Sequence, residues 1–317
     1  MIARLLGIVV VVSALIAPLP AAQPTTEVLV SVLVTGADGL PVAGLEQGDF
    51  QLLADGQPHA MSSFVAGSSP ASVVLLLDTS ASMDGRVQAG IAPIGLAAAL
   101  QTWPSADEPS SDRWQVGRIS RSAALSATFS SEPGAIREAI RAALDVPAVD
   151  RFGPSPVWDT VDAGLTALES TPGKRAVIVL TDGRATGNRL GVRDVILHAI
   201  AAGAPVNVIS EARDDSMGLG DRQVLIVRPE LALQLLTDQT GGSYVRGFSL
   251  EDATTPITPA PLISSLLSRV VTELHQSYLL GFATTKNDGQ VHKLDVKVSR
   301  PGLHVQTRKA YVVDAPR

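Results

Sequence analysis

The sequence predicts an α/β domain whose largely parallel, doubly wound sheet is covered by helices on both faces, with a β-rich segment on either side. Three observations carry this reading. In the middle of the 317-residue chain, apolar runs of strand length alternate with segments of helical period, and runs that are apolar almost throughout suit strands buried on both faces. Both ends instead show short alternating patterns broken by Gly, Pro and Asp. A composition 45% hydrophobic and 18% charged supplies core enough for more than one unit.

The chain opens with "MIARLLGIVVVVSALIAPLPAAQ", in which one early cation, Arg4, precedes an apolar run from Leu5 to Ile16, then Pro18, Pro20 and the small residues Ala21 and Ala22. That is the layout of a signal peptide, so residues 1–22 are expected to be removed and the mature protein to be extracytoplasmic, either periplasmic or secreted. The apolar run is about half of the roughly 20 residues a membrane-crossing helix needs, and no membrane span is expected after cleavage.

Residues 23–69 read as short strands with turns at Asp38-Gly39 and Asp55-Gly56. Residues 70–250 hold the alternating middle: "SVVLLLD", a helix near 86–101, "WQVGRIS", helices near 133–145 and 156–169, "RAVIVLTD", a helix near 190–202 and "PVNVIS". A helical connection over 251–276 leads to a second β segment over 277–317. There Leu294, Val296 and Val298 alternate with Asp295, Lys297 and Ser299, and Leu303, Val305, Thr307 and Lys309 with His304, Gln306 and Arg308. Asn287-Asp288-Gly289 is expected to close a hairpin between "SYLLGFA" and "VHKLDVKV", and Pro301-Gly302 to turn the chain into its last strand. Neither end has strands enough for a comfortable core, so the two are expected to pair into one small sandwich.

The formal charge is −6, and becomes −7 without Arg4, the one charge of the leader. This speaks against a nucleic-acid partner. Cysteine is absent, which excludes disulfides, thiolate metal sites, cysteine nucleophiles and lipidation at a lipobox.

The chemistry gathers where the central strands end. In a doubly wound sheet ligands bind outside the carboxyl ends of the strands, and two such ends are acidic here, "LLLD" at Asp78 and "IVLTD" at Asp182. Asp78, Ser80 and Ser82 stand at i, i+2 and i+4, a spacing that can turn three oxygens toward one point, as a hard divalent cation requires. A plainer role exists for the same residues: Ser80 or Ser82 capping the helix that begins near Arg86, with Asp78 bonding backbone amides.

"DTSAS" resembles the Asp-x-Ser-x-Ser element of the metal-ion-dependent adhesion site in von Willebrand factor type A domains, and "VIVLTDG" resembles the strand and loop that bring that site its distal aspartate. "GPSPVWDTV" from Gly153 aligns with the family's third loop and sets Ser155 where relatives have threonine. The flanks, "VSVLVTGADGLPVAGLEQGDFQLLADGQPHAMSSF" and "YLLGFATTKNDGQVHKLDVKVSRPGLHVQTRKAYVV", are similar to an acidobacterial group of proteins related to this family. The resemblance implies a site of Asp78, Ser80, Ser82, Ser155 and Asp182 for magnesium, or manganese or calcium. In it Ser80 and Ser82 bind directly, Asp78 and Asp182 act largely through water, and Ser155 joins according to conformational state. Magnesium's octahedral shell then leaves room for an Asp or Glu carboxylate of a protein partner. Asp84 is read as a helix-start acid outside the site.

The resemblance thus implies a non-enzymatic adhesion or assembly module without a small-molecule cofactor. Two other classes compete. "LLLDTSAS" also resembles the catalytic loop of aspartic proteases, but a single-chain protease shows a second Asp-Thr/Ser-Gly copy in an all-β setting, and the second acid here lies in "DGR". A structural module with a silent metal site is the third reading. A serine hydrolase lacks support, because no Gly-x-Ser-x-Gly occurs and His59, His198, His275, His292 and His304 are scattered. "GLGD" at 218–221 lacks the rest of a dinucleotide fingerprint.

Overall fold

The computed structural model describes residues 25–84, 111–121, 123–211, 229–248 and 260–313, together with Leu96, Leu100, Trp103 and Pro104. The leader, "GLGD" and most of the helix expected near 86–101 lie outside the described residues.

The middle of the chain forms a six-stranded sheet. Its strands are β5 (Ala71–Asp78), β6 (Arg113–Ile119), β7 (Ala124–Leu125), β8 (Lys174–Thr181), β9 (Val206–Glu211) and β10 (Tyr244–Phe248), in the order β10-β9-β8-β5-β6-β7. All neighbours are parallel except the short β7, which runs antiparallel to β6. Every residue of β5 is buried, because helices cover both faces and alternate side chains serve opposite cores. Val73, Leu75 and Leu77 pack with α1 (Pro133–Leu144) and α6 (Ala260–Gln276). Val74 and Leu76 pack with α3 (Val157–Leu168), α4 (Val192–Ala202) and α5 (Pro229–Thr240). A single turn, α2 (Ala148–Arg151), lies between α1 and α3.

Local signals fix the helix ends. Pro133 opens α1, where a missing N–H costs nothing. Gly203 closes α4 at φ 64°, a left-handed conformation that suits glycine.

The β-rich ends build one unit of two antiparallel sheets. The first, in the order β13-β1-β11-β4, joins β1 (Thr26–Thr35), β4 (Met61–Val65), β11 (Tyr278–Thr284) and β13 (His304–Thr307). The second, in the order β14-β12-β2-β3, joins β2 (Phe50–Ala54), β3 (Gln57–His59), β12 (His292–Val298) and β14 (Ala310–Tyr311). They share a core of Val30, Val32, Leu52, Tyr278, Phe282, Leu294, Val296 and Tyr311, so the two distant segments do pair into one sandwich.

The expected hairpin at Asn287-Asp288-Gly289 does not form. β11 pairs with β1 and β4, while β12 pairs with β2 and β14. The segment 285–291 instead carries the chain from one sheet to the other, across a gap of about 10 Å that such a length spans easily. Alternation marks a half-buried strand without naming its partner. Pro301-Gly302 does turn the chain, with Gly302 at φ 77°, and returns it to the first sheet. Arg308, expected on the polar side of an alternating strand, is buried beside Thr307, because the strand meets the α/β domain there.

That junction is held by buried cations. Arg308 donates from Nη1 to the Ile200 carbonyl at the end of α4 (2.5 Å) and from Nη2 to the Leu29 carbonyl of β1 (2.7 Å). Lys174, 2% exposed, lies within 2.6–3.3 Å of the carbonyl oxygens of Gly67, Leu274, His275 and Ser277, closing the C-terminus of α6. Burial pushes its pKa down to about 8, against the opposing pull of Asp112. A cleft of about 290 Å³ at this junction, lined in part by Glu27, Lys174, Arg175 and Arg308, is at the opposite end of the sheet from Asp78.

One cluster of the sandwich predicts a pH dependence. His292 Nδ1 is 2.9 Å from Asp55 Oδ2 and its Nε2 is 3.0 Å from Asp288 Oδ1, with Lys286 also on Asp55 and the Tyr311 ring stacked against the imidazole. Burial alone would lower the His292 pKa, but the two carboxylates outweigh it and the pKa is raised. A raised folded pKa stabilises fully below the unfolded value of about 6.5 and is lost as pH rises through the folded one. The urea midpoint is therefore expected to fall as pH rises above the unfolded value of about 6.5, with a shallower fall in His292→Gln. Equal slopes in the two proteins would contradict this.

Candidate functional site

Where the sheet's strand order reverses, the chain leaves β5 for β6 on one side and later returns to β8 on the other. This switch point opens a crevice at the carboxyl ends of β5 and β8, and the acidic loops lie there. Asp78 is the last residue of β5 and is fully buried. Its Oδ1 accepts from the backbone N–H of Ser80 (3.0 Å) and its Oδ2 from the Thr181 hydroxyl (2.6 Å). Ser80 and Ser82 bracket the start of a 3-10 turn over Ala81–Asp84, and their Oγ atoms are 3.0 Å apart. Asp84 ends that turn.

Ser155 precedes α3. Its buried hydroxyl is 3.5 Å from Asp78 Oδ1, at the outer limit of a hydrogen bond. Asp182 follows β8, its side chain 1% exposed, with Oδ1 accepting from the backbone N–H of Arg184 (3.0 Å) and Oδ2 lying 3.7 Å from Arg184 Nε. Burial pushes the Asp78 pKa up to about 6; hydrogen bonds from Ser80 and Thr181 oppose the rise, and the charge of Asp182 adds to it. Asp78, Ser80, Ser82 and Ser155 thus form one contact chain, and Asp182 stands near enough for its charge to act on Asp78.

Three further residues build the crevice. Thr181 donates to Asp78 while accepting from the Gly183 N–H (2.9 Å), which ties the two strand ends together. Thr186 accepts from the Ser155 N–H through its hydroxyl (2.9 Å) and donates its own N–H to the Ser155 carbonyl (2.8 Å). Asn188 Oδ1 accepts from the Trp158 N–H (2.7 Å), serving as a cap for α3 from another loop. Gly187, at φ 69°, lets these loops close up, since a Cβ there would lie 2.6 Å from Pro154 Cβ. Only Thr181 had a signal, a hydroxyl directly before the strand-end acid. The other two act across loops whose proximity a sequence does not reveal.

The donor set suits a hard cation: two hydroxyls side by side, a third near Asp78, and two buried carboxylates. Among the described residues no group of three or more His, Cys, Asp and Glu side chains gathers as a metal cluster, so any ion held here depends on serine hydroxyls. His198 lies elsewhere, between Asp162 (2.6 Å) and Glu169 (3.0 Å), as a clasp between α3 and α4.

No protein-family model matches the chain, and no curated protein matches it. Solved structures similar to it include a von Willebrand factor type A from Catenulispora acidiphila, at 12% identity over 84% of this chain and 73% of that one, with a TM-score of 0.46. The conserved hypothetical protein BatB from Bacteroides thetaiotaomicron is 17% identical over 64% of this chain and 99% of its own, with a TM-score of 0.43. An aerotolerance-related membrane protein from Bacteroides fragilis is 17% identical over 64% and 98%, with a TM-score of 0.44. At such identities and scores these likenesses do not bear on what the chain binds.

Proposed function

We propose that the chain is an exported von Willebrand factor type A-like binding protein that captures a protein partner's Asp or Glu carboxylate through a divalent cation, magnesium, manganese or calcium, held in the crevice. The observation that carries this reading is the joining of the "DTSAS" loop and the third loop at one buried carboxylate: Ser80, Thr181 and Ser155 all reach Asp78. The motif resemblance supplies the identity of the group. A bound ion would supply a Lewis-acidic position for an incoming carboxylate oxygen.

The chain's own residues do the rest. Ser80 and Ser82 present neutral oxygens, so the site's negative charge stays with Asp78 and Asp182. Burial makes the Asp78 charge costly without a cation beside it. Thr181 and the Ser80 N–H fix the orientation of that carboxylate. The setting is a parallel, helix-covered sheet rather than the all-β frame of a single-chain aspartic protease, which favours binding over hydrolysis. The leader's layout supports an extracytoplasmic location.

Ser155 is the departure to test. Serine keeps the hydroxyl of the family's threonine but rotates more freely about χ1. In calorimetric titrations with Mn²⁺, Ser155→Ala is expected to weaken uptake and Ser155→Thr to strengthen it by at most about 1 kcal/mol, the entropy of one rotamer. Metal uptake and partner binding in Ser155→Ala both equal to those of the unaltered protein would remove the third loop from the site. No uptake by any of the three proteins at millimolar metal would overturn the function.

A further inference from the structure

Beside the crevice, the turn that leads to Ser155 presents two large apolar side chains to solvent. Val149 is 66% exposed and Phe152 is 74% exposed, three residues apart on one side of the turn. The same loop then passes Gly153 and reaches Ser155. Gly153 is covered by an arginine, since a Cβ there would lie 2.5 Å from Arg121 Nε and 2.7 Å from Arg121 Cβ. Arg121 is exposed, and its N–H donates to the Asp150 carbonyl (3.4 Å). On the other side of the crevice, Arg184 keeps half its side chain in solvent with its Nε 3.7 Å from Asp182. Asp150, half-buried on the apolar turn, offsets part of this positive charge. The rim thus sets an apolar pair beside two cations, Arg121 exposed and Arg184 shared with the site acid Asp182, on a protein whose formal charge is −6.

We propose, on the premise that the crevice takes a partner carboxylate through a divalent ion, that the rim selects which carboxylate. The partner is a protein segment in which the ion-seeking Asp or Glu has a large apolar neighbour within about three residues, to cover Phe152 and Val149, and at least one further acid to face Arg121 and Arg184. The argument is one of complementarity. An exposed aromatic beside a polar anchor point gains by desolvation when it is covered. Cations flanking the point where an acidic segment must land raise its rate of capture.

The probe is a displayed library of random heptapeptides with a fixed central Glu, selected on the full mature chain in millimolar Mg²⁺. The expected pool is enriched in Leu, Ile, Phe, Trp or Met within three positions of the Glu and carries extra acids. Its best member should bind Phe152→Ser about tenfold more weakly. Arg121→Ser should slow association and flatten its dependence on salt. Both side chains are exposed, so thermal melts should match those of the unaltered chain. A pool without apolar enrichment, no pool above background, or unchanged binding by Phe152→Ser would overturn the rim. Repeating the binding in chelator separates the two ideas. Peptide binding that survives chelator and is lost in Phe152→Ser sinks the metal premise and keeps the rim, whereas Mg²⁺-dependent binding indifferent to Phe152 does the reverse.

Discussion

Lys174→Met is expected to cost the protein about 3–5 kcal/mol of unfolding free energy, the range for breaking a buried charge network. The ammonium is 2% exposed and serves carbonyls of Gly67, Leu274, His275 and Ser277. Methionine fills much of the volume but donates nothing, so the carbonyls of His275 and Ser277 and the exposed Gly67 lose this donor, while that of Leu274 keeps the Ser277 hydroxyl (2.7 Å) and N–H (3.3 Å). Each such loss costs about 1–3 kcal/mol where water cannot replace the bond. Relief from desolvating the cation, the cause of its lowered pKa, returns part of this. The effect should reach both units, because α6 packs on the sheet and runs directly into β11 at Tyr278. Urea unfolding with a midpoint shifted by less than the equivalent of about 1 kcal/mol would show that water or the backbone already meets those carbonyls.

Asp78→Asn is expected to move stability and binding in opposite directions. The metal-free protein should gain on the order of 1–2 kcal/mol at neutral pH, since a fully buried carboxylate beside the charge of Asp182 is held at an energetic cost visible in its raised pKa. Asparagine keeps one bond of the frame and reverses the other: its oxygen can accept from the Ser80 N–H, while its amide would donate to the Thr181 hydroxyl, which now donates to Asp78 and would need another acceptor for its proton, a loss that trims the gain. Uptake of Mg²⁺ or Mn²⁺ should fall at least tenfold, because one of the two negative charges offered to the ion is gone. A stable variant that binds metal poorly would mark Asp78 as a residue kept for function against stability. Loss of stability together with unchanged metal uptake would mark it as structural.

Legibility in the sequence followed physical range. "VVLLL" before Asp78 and "VIVL" before Asp182 announce buried parallel strands because burial on both faces leaves no room for polar alternation. The switch point between β5 and β8 then follows from chain order, and with it the crevice. The linkage of Ser155 to Thr186, and of Trp158 to Asn188, joins residues 31 and 30 apart through loop geometry, which no local pattern encodes. In the sandwich, alternation identifies β12 but leaves its partner open, so the sequence at Asn287-Asp288-Gly289 suits a hairpin as well as the passage between sheets that forms. α5 and β10 carry a weak local signal, and α5 shows why: Leu231 and Leu235 are exposed while Leu233 and Leu236 are buried, which blurs the helical stripe. Arg308 looked like a surface cation because its partners, the carbonyls of Ile200 and Leu29, belong to distant segments.

The central claim is that hydroxyls of the "DTSAS" loop and the strand-end acids together hold a divalent ion. The most direct test is a crystal of the protein grown or soaked in Mn²⁺, with diffraction collected for the metal's anomalous signal. The account predicts one strong anomalous peak in the crevice, touching the hydroxyls of both Ser80 and Ser82 and missing from crystals of Asp78→Ala. A well-ordered crevice with no peak at millimolar Mn²⁺, or a peak bound only at some other surface, would contradict it.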